Sequence, residues 1–361
     1  MPEATDPRPS LDQTTPVPAP SRHRSRKLAW SAAALLAAIV VGVIVVVLLT
    51  RGHAAEPAPT AAAWERQRYG ASVGLYDVTF ADRDRGWAVG FGGTIVATAD
   101  GGATWAPQSS GTSVVLYGIA FPDRQRGYAV GDGGTLLITK DSGQTWRRSS
   151  AGTRASLFGV DFCDARHGLV VGLDGTVVST GDGGTSWSAR SSGTRAYLEG
   201  VAFVDSSHAW AVGFDFEANA GAILATKDGG VTWSAQSSQS SAYLSDVAFG
   251  DATHGWAVGE GGTILATADG GATWSAQSSG TGAFLRAVAF SDLDHGWAVG
   301  EGGTILATTD GGATWRAQRS GTSWGLTAVA GADAVRGWVV GGDGNGGAGV
   351  ILATTSGGAA Q

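Results

Sequence analysis

A repeat of about 41 residues fills most of this chain and constrains its fold more than any other feature. The stretch from His254 to Trp274 returns 41 residues later, from His295 to Trp315, with one substitution. Every step between copies is 41 residues except the fourth, which is 46. The copies begin at Leu75, Leu116, Leu157, Leu198, Leu244, Leu285 and Leu326. Seven copies of this length, without the helical spacing or leucine–asparagine ladder of a solenoid, predict a ring of β-propeller blades.

Each copy contains the patterns of four short strands. In the fifth copy these strands open at Leu244, Gly255, Thr263 and Trp274. The glycines at the junctions permit the positive φ angles that tight hairpins need. We therefore expect an all-β fold, a seven-bladed β-propeller of four-stranded antiparallel blades that occupies residues 62–361.

The two ends of the repeat region complement each other. The last copy stops near Gly358 without the Trp that opens a fourth strand, while Trp64 stands alone ahead of the first copy. Trp64 precedes Leu75 by 11 residues, the distance at which Trp105 precedes Leu116. The segment near Trp64 is therefore predicted to supply the outer strand of blade 7, which closes the ring and removes open sheet edges.

The chain before the repeats is predicted to form a membrane anchor. Residues 1–27 are rich in Pro, Ser and Thr and end in a basic cluster, which is typical of a disordered tail. Residues 28–49 contain no charged side chain, and a stretch of this length crosses a bilayer as a helix. Residues 50–61 are interpreted as a linker.

The basic cluster ahead of the apolar span places the N-terminus in the cytoplasm. The sequence therefore predicts one N-terminal transmembrane helix in the plasma (inner) membrane of a bacterium, with the propeller extracytoplasmic. A cleaved signal peptide, cut near Ala54 or Ala55, stays open as the alternative.

A turn motif, Thr-x-Asp-x-Gly-x-Thr-Trp, separates the third and fourth strands in six copies, with Ser186 in the second Thr position of the third copy. Its Asp can accept hydrogen bonds from its own turn, and its Trp can bury a large ring between blades. One carboxylate per blade is spread around a ring and cannot converge on a substrate, so the role is structural. The six residues are Asp100, Asp141, Asp182, Asp228, Asp269 and Asp310.

This motif matches the Asp-box of sialidase-type (BNR) propellers. The fuller consensus adds Gly-Trp-Ala-Val-Gly, Gly-Gly-Thr-Ile-Leu and Gln-Ser-Ser-Gly-Thr, and it resembles the photosystem II stability/assembly factor family of seven-bladed propellers. The resemblance covers residues 64–356. It implies a non-enzymatic protein at or beyond a membrane that helps to assemble membrane complexes. The N-terminal anchor and the acidic charge depart from that family, and a photosynthetic partner does not follow from the match.

The Asp-boxes keep a second reading open, a glycoside hydrolase or lectin of the sialidase or xyloglucanase type. A sialidase needs an arginine cluster, a tyrosine nucleophile and usually a Phe-Arg-Ile-Pro segment, and that segment is absent from the sequence. Two carboxylates across a cleft would suffice for glycoside hydrolysis, but the sequence identifies no pair. We therefore expect no catalytic residue and no enzyme activity, with a glycan as the alternative ligand.

The histidines are not predicted to form a metal site. Four of them occupy one repeat position, ten residues after the starting Leu, and each has an Asp three residues earlier: His167, His208, His254 and His295. Such a pair in a turn is a local ion pair of small energetic value. Cys163, the single cysteine, is expected to be a small buried strand residue. We predict no metal and no cofactor.

Departures from the repeat indicate where a partner could bind. Blade 4 replaces a tight glycine turn by the insert 214–219, and aromatic residues stand in the blade-joining loops on the same face. Residues from 198 onward hold five Lys or Arg and 15 Asp or Glu, whereas residues 52–197 hold 13 of each. The predicted partner-binding residues are Tyr197, Phe214, Asp215, Phe216, Glu217, Tyr243, Glu260, Phe284, Glu301 and Trp324.

An acidic, aromatic patch across blades 4 to 7 favours a protein partner with a basic surface and disfavours nucleic acid. The alternative is that the insert and the aromatic residues merely cap the ring. We expect a monomer that contacts the membrane only through its N-terminal helix.

Overall fold

The computed structural model describes residues 64–70 and 73–357. Over this range the chain forms seven antiparallel sheets of four strands each, which confirms the predicted all-β propeller. No helix in this part of the chain is long and apolar enough to cross a bilayer. The predicted tail, span and linker at residues 1–61 lie outside the described residues.

The strands follow the repeat. Blade 1 contains β2 (Leu75–Phe80), β3 (Gly86–Gly90), β4 (Ile95–Thr98) and β5 (Ala106–Gln108), and blade 2 contains β6 (Leu116–Ala120), β7 (Gly127–Gly131), β8 (Thr135–Thr139) and β9 (Arg147–Ser150). Blade 3 contains β10 (Leu157–Phe162), β11 (Gly168–Gly172), β12 (Thr176–Thr180) and β13 (Ser188–Ser191), and blade 4 contains β14 (Tyr197–Phe203), β15 (Ala209–Asp215), β16 (Ala220–Thr226) and β17 (Ser234–Ser237).

Blade 5 contains β18 (Leu244–Phe249), β19 (Gly255–Gly259), β20 (Ile264–Thr267) and β21 (Ser275–Gln277), and blade 6 contains β22 (Leu285–Phe290), β23 (Gly296–Gly300), β24 (Thr304–Thr308) and β25 (Arg316–Gln318). Blade 7 contains β26 (Gly325–Asp333), β27 (Arg336–Gly342), β28 (Gly349–Thr354) and, as its outer strand, β1 (Glu65–Arg66). Short 3-10 turns join the second and third strands at Phe91–Gly93, Asp132–Gly134, Leu173–Gly175, Glu260–Gly262 and Glu301–Gly303.

The first and last strands close the ring, as the position of Trp64 predicts. β1 pairs antiparallel with β28, with Glu65 opposite Ala353 and Arg66 opposite Leu352. Trp64 is 6% exposed and lies in the core between blades 6 and 7. The outer edge of β28 is therefore covered by a strand from the other end of the repeat region.

The hydrophobic core lies between adjacent blades. At five of the seven junctions the aromatic residue of one blade's second strand stacks on a Phe at or just beyond the end of the next blade's first strand, as in Trp87 on Phe121 at 3.5 Å and 5°. The Asp-box Trp of that next blade then meets the same Phe edge-on, as Trp146 does at 5.9 Å and 85°. The Asp-box Trp is thus an inter-blade residue, as expected, and its burial of a large aromatic area stabilises the junction.

One expectation about the glycines is wrong in part. Gly261, in the turn of blade 5, has φ +66° as predicted for a tight connection. Gly259, which ends β19, has φ −177°, which is ordinary extended backbone. A Cβ atom on Gly259 would lie 1.9 Å from the carbonyl oxygen of Tyr243. This glycine is required for close approach of two strands, not for an unusual φ angle.

Candidate functional site

The propeller has two faces with different connections. On one face the turns between second and third strands meet the blade-joining loops, as shown by the Glu260 amide, which donates to the Tyr243 carbonyl at 2.9 Å. On the other face the Asp-boxes meet the turns between first and second strands, where the Gly270 amide donates to the Thr253 carbonyl at 2.9 Å. We call these the loop face and the Asp-box face.

A cavity of about 870 Å³ occupies the central channel at the loop face. The first strands of the blades line it, together with the second-to-third turns of blades 1, 6 and 7. Five of the ten predicted partner-binding residues belong to this site. Tyr197, Glu301 and Trp324 line the cavity, and the rings of Phe216 and Tyr243 pack against that of Tyr197. The cavity is therefore the centre of the candidate site.

A continuous series of aromatic rings follows the channel mouth, and we call it the aromatic arc. Neighbouring ring centroids are 4.7 to 6.4 Å apart. In order around the mouth the rings belong to Phe91, Tyr76, Tyr117, Phe158, Tyr197, Tyr243 and Phe284. Such spacing is typical of offset and edge-to-face aromatic packing. The arc crosses six of the seven blades.

Two different repeat positions supply the arc. In blades 1 to 3 the ring stands one residue after the starting Leu, and in blades 4 to 6 it stands one residue before. The strand pairing is irregular just after the starting Leu in these blades, and such bulges re-aim side chains. The two positions therefore meet at one mouth, where Phe158 stacks on Tyr197 at 4.7 Å and 16°.

Sequence reasoning found three of the seven rings of this arc. Tyr197, Tyr243 and Phe284 were predicted from the blade-joining loops. The rings that follow the starting Leu, and Phe91, were missed because they were treated as ordinary repeat positions. Comparing the residue directly after each starting Leu would have revealed Tyr76, Tyr117 and Phe158.

Acidic side chains surround the mouth, and we call them the acidic rim. Each of blades 2 to 7 places an Asp or Glu at or beside the turn between its second and third strands. The rim contains Asp132, Asp174, Asp215, Glu217, Glu260, Glu301 and Asp343. The net charge of the sequence placed this surface in blades 4 to 7, whereas the structure extends it through Asp132 and Asp174 into blades 2 and 3. Asp132 occupies the repeat position of Glu260, and that alignment was the available signal.

The insert of blade 4 is organised differently from the expected surface loop. Phe214 and Asp215 belong to β15, so the hairpin is longer and its loop shorter than predicted. Phe214 is 8% exposed and stacks on Tyr243 at 5.4 Å, so it supports the surface from below. Phe216, at the tip, is 67% exposed and contacts Tyr197 edge-on at 6.4 Å. Phe216 and the exposed Glu217 are therefore available to a partner.

Two guanidinium groups of the described residues pack on aromatic rings of this surface. The Arg286 guanidinium lies 3.8 Å from the centroid of the Phe284 ring and 2.6 Å from the Glu301 carboxylate. On the blade 7 side, the Arg66 guanidinium lies 5.1 Å from the centroid of the half-buried Trp324 ring. Both contacts have cation–π geometry. The aromatic surface of the site can therefore bind guanidinium groups.

Carboxylates line the channel inside the arc, and none of them was predicted. Asp77 accepts hydrogen bonds from the Val78 and Ile119 amides, both at 2.8 Å, so it joins blade 1 to blade 2. Asp161 joins blade 3 to blade 4 in the same way, and Asp246 joins blade 5 to blade 6. Their repeat positions carry no carboxylate in the other blades.

Burial changes the acidity of these channel groups. Desolvation raises the pKa of Asp77 and Asp246 to about 7 and that of Asp161 to about 6, against the opposing effect of the amide hydrogen bonds. Burial also raises the pKa of Glu199. The pKa of the Tyr243 hydroxyl is raised by burial and then by the neighbouring Glu199 charge. Burial in the channel therefore favours the neutral forms of these groups.

The Asp-box carboxylates are engaged in their own turns. Asp269 accepts from the Thr267 hydroxyl at 2.9 Å, the Thr273 amide at 2.8 Å and the Thr273 hydroxyl at 2.7 Å. The other five boxes repeat this pattern. Hydrogen bonds from the box lower the pKa of every one, to about 2 for Asp182 and Asp228. They lie one per blade on the Asp-box face, away from the channel mouth.

The expected Asp–His turn pairs are present in blades 3 to 6, with the His Nδ1 2.9 to 3.0 Å from the Asp carboxylate. Cys163 departs from its expectation, because it lies one residue beyond β10 and is half-buried. Its sulfur lies within 4.8 Å of ligand atoms of Asp164 and His167. Burial raises the pKa of this thiol to about 11, which disfavours the thiolate that binds metals.

The opposite pKa shifts in the channel and the Asp-boxes predict an unusual pH dependence of stability. Between about pH 4 and 7 the folded channel carboxylates hold protons that the unfolded chain releases, so stability falls as pH rises. Below about pH 4 the unfolded chain binds protons that the Asp-boxes exclude, so stability falls as pH drops. Thermal unfolding followed by circular dichroism should therefore show a maximum near about pH 4 to 5.

The variant Asp246→Asn provides the control, because it should flatten the decline on the neutral side and leave the acid side unchanged. A midpoint that rises steadily between about pH 4 and 7 in the unmodified protein would contradict the expectation.

Comparison with known proteins shows which propellers this chain resembles. The family model for the photosynthesis system II assembly factor YCF48 matches residues 56–149 and 236–283. A solved structure of YCF48 bound to a D1 peptide is similar with a TM-score of 0.67 and 21% identity over 84% of this chain and 99% of that one. YCF48 from Cyanidioschyzon merolae has a TM-score of 0.66 and 24% identity over 81% and 99%.

Enzymes share the same architecture at lower identity. A GH74 xyloglucanase from Xanthomonas campestris has a TM-score of 0.64 and 16% identity, and the match covers 81% of this chain but 53% of the enzyme. No curated protein sequence matches the chain. Likeness at these identities shows the fold, whereas the family model also matches the repeat sequence. Together they confirm the predicted resemblance: the chain carries a photosystem II assembly factor-like, seven-bladed β-propeller.

Proposed function

We propose that this protein is a non-enzymatic scaffold that binds a partner protein at the loop face, in the manner of an assembly factor. The observation that carries the proposal is the aromatic arc at the mouth of a cavity of about 870 Å³, with the acidic rim in and beside the loop-face turns of the blades. A few residues supply most of the binding energy at protein interfaces, and Trp, Tyr and Arg are enriched among them. The rim supplies long-range attraction and orientation more than affinity.

The resemblance to YCF48 supports protein binding as the general function, since one YCF48 structure holds a D1 peptide. The apolar, uncharged residues 28–49 support anchoring to the plasma (inner) membrane, with the propeller on the extracytoplasmic side. A monomeric propeller on a single anchor presents its loop face to one partner at a time.

A glycoside hydrolase or lectin is the second candidate, favoured by the aromatic rings and by the fold shared with the xyloglucanase. The geometry of the carboxylates argues against hydrolysis. Each channel aspartate accepts hydrogen bonds from two backbone amides, and each Asp-box aspartate accepts hydrogen bonds from groups of its own turn. Both sets therefore have structural hydrogen bonds that a general acid or nucleophile would have to give up.

Site-specific photocrosslinking in the native membrane tests the binding face. A photoreactive residue in place of Phe216 should form a covalent product with one partner protein, because this side chain is 67% exposed on the loop face. Val231 is the matched control, since it is 49% exposed in the same blade but lies in the Asp-box. The product should be absent at Val231.

Equal products at both positions, or a product at Val231 alone, would refute a loop-face partner. The full-length protein should also release no sugar from a panel of glycans. Hydrolysis that one Asp or Glu substitution abolishes would favour the enzyme instead.

A further inference from the structure

Four carboxylates line the described channel without forming an ion pair, although the Arg286 charge opposes the rise in the pKa of Glu199. Asp77, Asp161, Glu199 and Asp246 all line the cavity of about 870 Å³. Among residues 64–70 and 73–357, none of the four forms an ion pair with Lys, Arg or His. Arg286 is the one Lys or Arg in the described lining, and its guanidinium is held by Glu301 at 2.6 Å.

The four carboxyl groups lie at different depths along the channel. Asp77 and Asp246 stand two residues after their starting leucines, and Asp161 stands four residues after its own. Two residues of extended strand span about 6 to 7 Å, so Asp161 lies deeper than the other two. Removing their charge from water without a counter-ion is costly, and the raised pKa values of all four express that cost. A cation that enters the mouth would relieve it.

The arc above these carboxylates suits one cation in particular. Arg286 over Phe284 and Arg66 over Trp324 show that the rings of this surface already pair with guanidinium groups. Guanidinium is planar, stacks on aromatic faces and is less strongly hydrated than an ammonium group. A guanidinium group therefore loses less hydration free energy than an ammonium group when it moves from water into the aromatic channel mouth.

Resting on the proposed function, we infer that the channel mouth binds an exposed peptide segment of the partner through an inserted arginine side chain. The rings of Tyr76, Tyr117 and Tyr197, which line the cavity, contact the stem and the guanidinium plane, and Glu199 and the channel aspartates neutralise the charge. The acidic rim attracts further basic residues of the same segment. This specifies the basic partner in terms of one anchoring side chain in one cavity.

A pair of short fluorescent peptides tests the inference on the full-length protein in detergent. One carries a central arginine between leucines, and the other carries citrulline, which has the same shape without the charge. At low ionic strength the arginine peptide should bind about tenfold more tightly, the effect of a desolvated cation–π contact with charge neutralisation. Added salt should reduce this difference only in part, because the carboxylates lie inside the channel.

Matched variants locate the contact. Glu199→Gln removes one channel charge and should erase most of the arginine preference. Asp294→Asn removes one exposed charge from the Asp-box face and should leave the preference unchanged. Tyr76→Leu, a second channel variant, should weaken both peptides and provides a test if Glu199→Gln does not fold.

The outcomes separate the inference from the function on which it rests. Equal binding of the two peptides, no binding of either, or displacement of the arginine peptide by an oligosaccharide would overturn the arginine anchor. If the Phe216 crosslink still forms in that case, partner binding at the loop face stands without it. If the crosslink is also absent, the proposed function falls as well.

Discussion

Replacing Trp64 with alanine should lower the free energy of unfolding by about 3 to 5 kcal/mol, the usual cost of truncating a buried Trp. The ring is 6% exposed and packs edge-on against Trp297 at 6.4 Å and 83°. Its Nε1 donates a hydrogen bond to the Gln318 Oε1 at 2.7 Å. These contacts join the outer strand of blade 7 to blade 6, so the substitution loosens the closure of the ring.

Urea unfolding followed by far-UV circular dichroism measures this loss. Trp315→Ala is the matched control, because Trp315 makes the equivalent contacts to Phe290 and Gln277 inside a continuous blade. We expect Trp64→Ala to cost at least as much, because β1 pairs with β28 through only two residues. The surface variant Phe216→Ala should change stability by less than about 0.5 kcal/mol. A loss below about 1 kcal/mol for Trp64→Ala would show that ring closure does not depend on this side chain.

Gly259→Ala should lower the free energy of unfolding by about 1 to 3 kcal/mol or more through overpacking. The added methyl carbon would lie 1.9 Å from the Tyr243 carbonyl oxygen and 3.0 Å from Leu244 Cα. Both atoms belong to backbone that pairs with β19, so neither can move without disturbing the first strand of blade 5. Because Tyr243 belongs to the aromatic arc, the variant should also weaken binding at the channel mouth.

Gly261→Asn separates this mechanism from a demand for positive φ. Gly261 has φ +66° and no neighbouring atom within 4 Å of an added Cβ. The equivalent position in blade 3 is Asp174, which adopts φ +55°. Asparagine tolerates this conformation, so we expect a loss of less than about 1 kcal/mol. Equal losses for the two variants, measured by urea unfolding, would contradict close approach as the reason for Gly259.

The candidate site was only partly accessible from the sequence, for a physical reason that the arc illustrates. Tyr197 and Tyr243 stand in the blade-joining loops, beside the insert of blade 4 in the predicted patch, and were therefore noticed. Tyr76 and Tyr117 stand at another repeat position and were not. A strand bulge brings both positions to one mouth, and nothing in a linear comparison of copies shows that two offset positions share a surface.

The sequence predicted the negative charge of the loop face but placed it in too few blades. The excess of acidic residues after position 198 indicated a negative surface in the second half of the chain. The rim nevertheless runs around six blades, because a ring brings equivalent turns of distant copies to the same radius. Asp132 and Asp174 joined it although their half of the chain is electrically balanced.

The sequence by itself determined the period, the number of blades, the order of strands within each blade and the closure by Trp64. These properties follow from spacing, because each copy repeats the same alternation of apolar residues and glycine turns. Only the tertiary structure decided what surrounds the channel. Three aspartates from blades 1, 3 and 5 line this one channel, with the aromatic arc above them: Asp77, Asp161 and Asp246. Residues so distant along the chain meet only because the ring closes, and that convergence creates the site.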